Sequence, residues 1–143
     1  MSRHKISTFR VDGELFGVDA LLVQEVSRHL ELTPVPLAPY AVGGVMNLRG
    51  EVVTALDLRR LLGRPDRPEG HRPMNVVLRN EGGSVSLLVD DIESVEDVED
   101  SEFEPIPETV TGAAREFLSG AYKMPDGLLL TLDVARVLDP RPA

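Results

Sequence analysis

A strand, a tight turn, a second strand and a short helix are written into Val42–Gly63, VGGVMNLRGEVVTALDLRRLLG. Val42, Val45, Met46 and Leu48 lead into Arg49-Gly50, and Val52, Val53, Ala55 and Leu56 follow as a second run rich in strand formers. Glycine supplies the permissive backbone that a reversal needs, so the block reads as a hairpin turning at Gly50. Asp57 then caps a helix, because its carboxylate can accept from free N–H groups of the first turn. Leu58, Leu61 and Leu62 share one face of that helix, and Gly63 with Pro65 stops it. The pattern returns as GAYKMPDGLLLTLDVARVL. With Gly44 laid on Gly120, Val45 meets Ala121, Val53 meets Leu129, Leu56 meets Leu132 and Asp57 meets Asp133. Arg60, Leu61 and Leu62 then fall on Arg136, Val137 and Leu138.

Fainter echoes extend the repeat. Pro34-Val35-Pro36 corresponds to Pro105-Ile106-Pro107, and Val23, Glu25 and Val26 correspond to Ile92, Ser94 and Val95. Two similar halves are therefore expected, one over residues 6–63 and one over 75–139, joined by RPDRPEGHRP as a surface connector. A chain of 143 residues buries about two-thirds of its unfolded surface, whereas a half alone buries only about 60% and is marginal. The halves are expected to pack together as one domain over residues 1–143.

Thr8–Val11 and Glu14–Val18 flank Asp12-Gly13, a hairpin signal. Ala20–Val26 fits one helical face through Leu22, Val23 and Val26, yet Val23 and Glu25 also alternate as in a strand. Leu32–Tyr40 holds Pro34, Pro36 and Pro39, so it should run along the surface as an extended segment. A third hairpin is expected from Asn75–Arg79 and Ser84–Val89 around Asn80-Glu81-Gly82-Gly83. Ile92–Val98 alternates apolar and acidic, as an edge strand with one wet face does. Leu118–Met124 and Gly127–Leu132 pair across Pro125-Asp126, and Asp133 opens the last helix. The class is mainly β, with about ten short strands and two or three short helices.

Composition removes several functions. The absence of cysteine rules out disulfides and thiolate metal sites, which suits a reducing compartment. No apolar run approaches the roughly 20 residues a bilayer span needs, and the start, MSRHKISTFRVDG, lacks the apolar core of a signal peptide, so a soluble chain is expected. A net charge of −9 with scattered Lys and Arg argues against nucleic acid and anionic lipid as partners. The acidic stretch DDIESVEDVEDSEFE lacks the alternating ligand register of a calcium loop and reads as a solvated strand face. His4, His29 and His71 lie in a basic terminus, a loop entry and the connector, poor places to hold a ring in fixed geometry. No nucleophile elbow, phosphate-cradling loop or metal-ligand spacing is present, and no cofactor is called for. Asp57 and Asp133 have sufficient work as caps. A non-catalytic role is therefore expected; the alternatives are a small-molecule-binding β-barrel, or an enzyme whose site is assembled from scattered residues.

Arg49 stands out. A turn-tip arginine is often only solvated, but here it projects from a rigid hairpin beside Asn47, placed to chelate a carboxylate or backbone carbonyls.

Ordered blocks across Thr8–Leu138 give the chain a family resemblance. Phe16-Gly17-Val18-Asp19 is followed by Val23-Gln24-Glu25-Val26, then by prolines before Gly43-Gly44-Val45-Met46-Asn47-Leu48-Arg49-Gly50, Val53 and Asp57-Leu58-Arg59. Leu88-Val89-Asp90 with Ile92 and Val95, and Gly120 with Gly127-Leu128-Leu129, complete the set. In these blocks the chain resembles the CheW family of bacterial chemotaxis coupling proteins. The resemblance implies two SH3-like five-stranded β-barrels packed together. It also implies a cytoplasmic adaptor at receptor arrays on the inner membrane. Such an adaptor joins the cytoplasmic tip of a methyl-accepting chemoreceptor to the regulatory domain of a CheA-type histidine kinase. Carried over by position, Val23 and Gly44 would face the kinase, Ser86, Ile92 and Val95 the receptor, and Glu25, Asn47 and Arg49 either. Ser86 departs from the glycine expected there, and Asp91 stands where a small residue is frequent, which puts the shape of the receptor groove in question.

Overall fold

The computed structural model describes residues 2–80 and 82–138. Strands β1 (Arg3–Val11), β2 (Glu14–Asp19), β3 (Val23–Ser27), β4 (Val42–Leu48) and β5 (Glu51–Asp57) precede helix α1 (Leu58–Leu61). Strands β6 (Met74–Asn80), β7 (Gly83–Val89) and β8 (Asp91–Glu99) follow, then α2 (Ala113–Glu116), β9 (Leu118–Met124), β10 (Gly127–Leu132) and α3 (Val134–Leu138). Two five-stranded sheets result, ordered β8-β1-β2-β10-β9 and β3-β6-β7-β5-β4. We refer to them as sheet A and sheet B. Of the hairpin expected around Asn80–Gly83, residue 81 lies outside the described residues, as does 139, the end of the second half.

The internal repeat is present in three dimensions. Asp57 Oδ1 accepts from the Arg59 N–H at 3.0 Å to cap α1, and Asp133 Oδ1 accepts from the Arg136 N–H at 3.3 Å at the start of α3. Their own N–H groups donate to Ala41 and Phe117, which correspond under the same alignment. The parallel pairing also matches: β5 sets Thr54 beside Val85 and Ala55 beside Ser86, and β10 sets Leu130 beside Phe16 and Thr131 beside Gly17.

The sheets, however, do not coincide with the halves at 6–63 and 75–139. Hairpin β1–β2 of the first half completes sheet A with β8, β9 and β10, and hairpin β6–β7 of the second completes sheet B with β3, β4 and β5. The chain changes sheet at two short crossings. One is a single 3-10 turn, Ala20–Leu22, capped by the Asp19 carboxylate, which accepts from the Leu21 N–H at 2.9 Å. This turn and β3 resolve the ambiguous stretch Ala20–Val26. The other crossing is Asp90 alone, whose N–H donates to the Arg10 carbonyl at 2.9 Å. Each half has exchanged its first hairpin with the other.

Burial follows from this exchange. Phe9, Val11, Phe16 and Val18 of sheet A pack with Leu56, Leu58, Val76, Leu78, Leu87 and Val89 of sheet B and its helix, a core common to both sheets. Each sheet also curls over a private cluster, Ile6, Val98, Tyr122 and Leu129 in A and Met46, Leu48, Val53 and Val77 in B. Val76-Val77-Leu78 is therefore buried on both faces, which explains an unbroken apolar run in β6.

Candidate functional site

The hairpin β4–β5 turns through Arg49 at φ 54° and Gly50 at φ 85°. Two successive left-handed residues match the twist of the strands, and an arginine rarely occupies the first. Asn47 fixes the turn by accepting the Gly50 N–H on Oδ1 at 2.9 Å. Arg49 then reaches across to β3, donating from Nε and a terminal nitrogen to both Glu25 oxygens at 3.1 and 3.2 Å. β3 and β4 are the two edges of sheet B, so this fork joins one edge of the sheet to the other. The hydrogen bonds from Arg49 hold the Glu25 carboxyl below its ordinary range, and Glu25 raises the guanidinium in return. The arginine remains largely open to solvent.

Exposed apolar side chains lie on and beside the same edges. Leu21 sits on the 3-10 turn that leads into β3 and Val26 along β3, Val52 pairs with Asn47 beside the turn, and Val35, Leu37 and Tyr40 stand on the proline-rich segment. That segment is not wholly extended: Thr33 bridges to Val45 along the edge of β4, and turns follow near Leu37 and Tyr40. Leu37 is held at φ 62° with its side chain fully in water. Arg60 steadies the end of the segment, its guanidinium 4.9 Å from the centre of the Tyr40 ring and donating to the Tyr40 carbonyl at 3.2 Å. The segment's apolar exposure was not foreseen from sequence; Val35 and Leu37 between prolines were the available signal.

The remaining predicted residues separate into three situations. Val23 is half-buried against the common core, and Gly44 lies inside β4. Ile92 packs partly on the common core, whereas Val95 stands open on β8, the edge of sheet A. Ser86 is fully buried in β7, so its side chain is not presented to a partner. Its Oγ donates to Asn75 Oδ1 at 2.8 Å, and Asn75 Nδ2 donates to the Arg28 carbonyl at 3.0 Å. The corresponding position in sheet A is Gly17, where a Cβ would stand 2.5 Å from Ile6 Cγ2. Ser86 fits because its neighbour is a hydrogen-bonding asparagine.

Gly44 has a structural necessity of its own. At φ 147° a Cβ there would stand 2.7 Å from the Thr33 carbonyl oxygen, a backbone atom that cannot step aside. Gly120 answers the same demand, with Glu104 crossing β9 at Ala121 as Thr33 crosses β4 at Val45. We expect Gly44→Val to destabilise the fold by about 1–3 kcal/mol. Thermal unfolding checks this, and an unchanged melting transition would leave Gly44 as a contact residue only.

The connector is more than a surface link. Arg67 is nearly buried, donating to Asp90 Oδ1 at 2.8 Å, Asp57 Oδ2 at 3.0 Å and the Leu88 carbonyl at 2.9 Å. Arg59 forks onto the same Asp90, at 3.0 Å from Nε and 2.7 Å from a terminal nitrogen. The Asp12 N–H adds a bond of 2.7 Å. Burial pushes the Asp90 carboxyl up, but Arg59, the Asp12 N–H and Arg67 together hold it below the ordinary carboxylate range. Arg67 was not singled out from sequence, and Asp90 entered only as part of the Leu88-Val89-Asp90 block with no role assigned, because their partners are distant along the chain.

Among the described residues no three His, Asp or Glu side chains are placed to hold a metal ion. His29 and His71 are exposed, while His4 is half-buried and pairs with Asp100. The clefts are open; one of about 330 Å³ lies between Thr8, Leu15, Ser94 and the Met124–Leu128 turn. Among the described residues no helix is long and apolar enough to cross a membrane.

Two interlocked sheets with a common core, an edge clasp and exposed apolar side chains on and beside the edges of sheet B make a scaffold-like β fold. The chain belongs to the CheW-like domain family, whose model matches residues 5–141. It is 26% identical over 141 residues to the chemotaxis protein CheW of Treponema pallidum, covering 96% of this chain and 83% of that protein. It is 29% identical over 136 residues to the chemotaxis protein CheW of Bacillus subtilis, covering 94% and 86%. The crystal structure of the scaffolding protein TtCheW from Thermoanaerobacter tengcongensis superposes with a TM-score of 0.82 at 27% identity, covering 92% of this chain and 90% of that one. This is a family of chemotaxis scaffold proteins, not of enzymes.

Proposed function

We propose that the chain is a cytoplasmic adaptor that couples a methyl-accepting chemoreceptor to the regulatory domain of a CheA-type histidine kinase at receptor arrays. The observation that carries this reading is the edge of sheet B, where a rigid hairpin is clasped by Arg49 and Glu25, exposed Val26 and Val52 lie beside the clasp along β3 and β5, and exposed Leu21 and Leu37 stand on the segments that lead into β3 and β4. Apolar anchors around a central charge-assisted pair are what a protein partner needs for affinity and register. Kinase contact is assigned to Val23 and Gly44 on this sheet, with Glu25, Asn47 and Arg49 serving either partner. Receptor contact is assigned to Ile92 and Val95 on β8, and Ser86 acts there only through the packing of β7.

Recovery of a chemoreceptor and a CheA-type kinase with the tagged chain from lysate, identified by mass spectrometry, tests the assignment; recovery of neither counts against it. Arg49→Ala gives the sharper measurement. The exposed fork contributes little to folding, so the unfolding midpoint is expected to stay near that of the unmodified chain. Kinase binding or stimulation is expected to fall about tenfold or more, as when an interface anchor is truncated. Lysine at 49 rescues little, because it has no planar fork. Normal stimulation by Arg49→Ala would remove this residue from the interface.

A further inference from the structure

Sheet B carries the edge assigned to the kinase, and β8 of sheet A carries the residues assigned to the receptor. The two sheets meet in a common core, at the turn Ala20–Leu22, and at the junction where β7 runs through Asp90 into β8. We propose that the connector Arg64–Pro73 is a strap making the two sheets move as one body, with Arg67 the positioning residue that relays a receptor-side displacement to the kinase-side edge. This rests on the adaptor reading above.

Two observations carry it. First, the strap holds both sheets at once. Arg67 binds Asp57 at the end of β5 and Asp90 at the crossing, while Arg64 pairs with Asp12 at 3.4 Å and Glu14 at 2.6 Å in the first hairpin of sheet A. Second, the contacts are directional. The Arg67 guanidinium serves three acceptors in fixed directions, and Arg59 also forks onto Asp90 while donating to the Pro65 carbonyl of the strap at 3.0 Å. Such a fork specifies orientation as well as proximity.

The test uses the intact chain with a receptor signalling fragment and a CheA-type kinase. Each binary affinity is measured separately, and kinase stimulation is measured at saturating adaptor. Arg67→Ala is expected to keep both affinities within about twofold while stimulation falls about fivefold or more, the lower range of allosteric coupling. Arg67→Lys is expected to recover little. Should Arg67→Ala not fold, Arg64→Ala decides, since it releases the strap from sheet A without leaving a buried charge unpaired. Unchanged stimulation in the folded variants overturns the proposal, and so does a parallel loss of both affinities with stability, which makes the strap a matter of folding alone. If the unmodified chain binds neither partner, the adaptor reading fails, and the relay fails with it.

Discussion

Asp90→Asn is expected to destabilise the protein by about 3–5 kcal/mol, the usual cost of removing one partner from a buried ion pair. Asp90 accepts from Arg59, Arg67 and the Asp12 backbone at 2.7 to 3.2 Å, and its side chain is only 8% exposed. Asparagine presents one acceptor oxygen in place of two and carries no charge. Arg59 and Arg67 then stay in the junction with part of their compensation gone. Against a typical total of about 5–15 kcal/mol, the loss is a large share. Denaturant unfolding at neutral pH measures it, and a change below about 1 kcal/mol would mean that the junction relaxes to readmit water. The pH dependence provides a second check. A carboxyl whose folded pKa lies below its unfolded value stabilises fully above the unfolded value, about 3.9, and loses that contribution as pH falls through the lower folded value. The unmodified chain should therefore lose more stability than Asp90→Asn on acidification below about pH 4.

Cutting the chain at the repeat boundary is expected to abolish folding of both pieces. Fragment 1–69 holds two strands of sheet A and three of sheet B, and fragment 70–143 holds the complements. Neither contains a complete sheet, and the parallel pairs β5–β7 and β10–β2 each join one fragment to the other. The common core divides likewise, with Phe9 and Phe16 on one piece and Leu87 and Leu130 on the other. Alone, each fragment should show the circular dichroism of an unfolded chain; mixed, the two should recover a β spectrum and a cooperative transition. Gly70 is exposed with open space around its Cα, so the cut itself disturbs little. Independent folding of either fragment would contradict the exchange of hairpins.

Features whose causes lie within a few residues were legible in the sequence. Asp12-Gly13 and Arg49-Gly50 sit at left-handed φ as hairpin turns require, and Asp57 and Asp133 accept from N–H groups just beyond them. The acidic alternation of Ile92–Val98 appears as edge strand β8, and the placement of Arg49 at a hairpin tip anticipated its chelation of a carboxylate. The repeat was legible too, because the same caps and turns recur at corresponding positions.

Tertiary structure decided what depends on distant partners. The strand patterns of hairpins β1–β2 and β6–β7 suit a place beside either β5 or β10, so pattern alone does not select a sheet. The short crossings at Ala20–Leu22 and Asp90 select it, by leaving each hairpin's successor no route but into the other sheet. The same holds for the site. Gly44 is constrained by the Thr33 carbonyl, Ser86 is turned inward by Asn75, and Arg67 is drawn from a proline-rich connector into the junction by Asp57 and Asp90. Local propensity and side-chain capping act over one or two turns of chain, and these contacts exist only after two crossings have brought remote segments together.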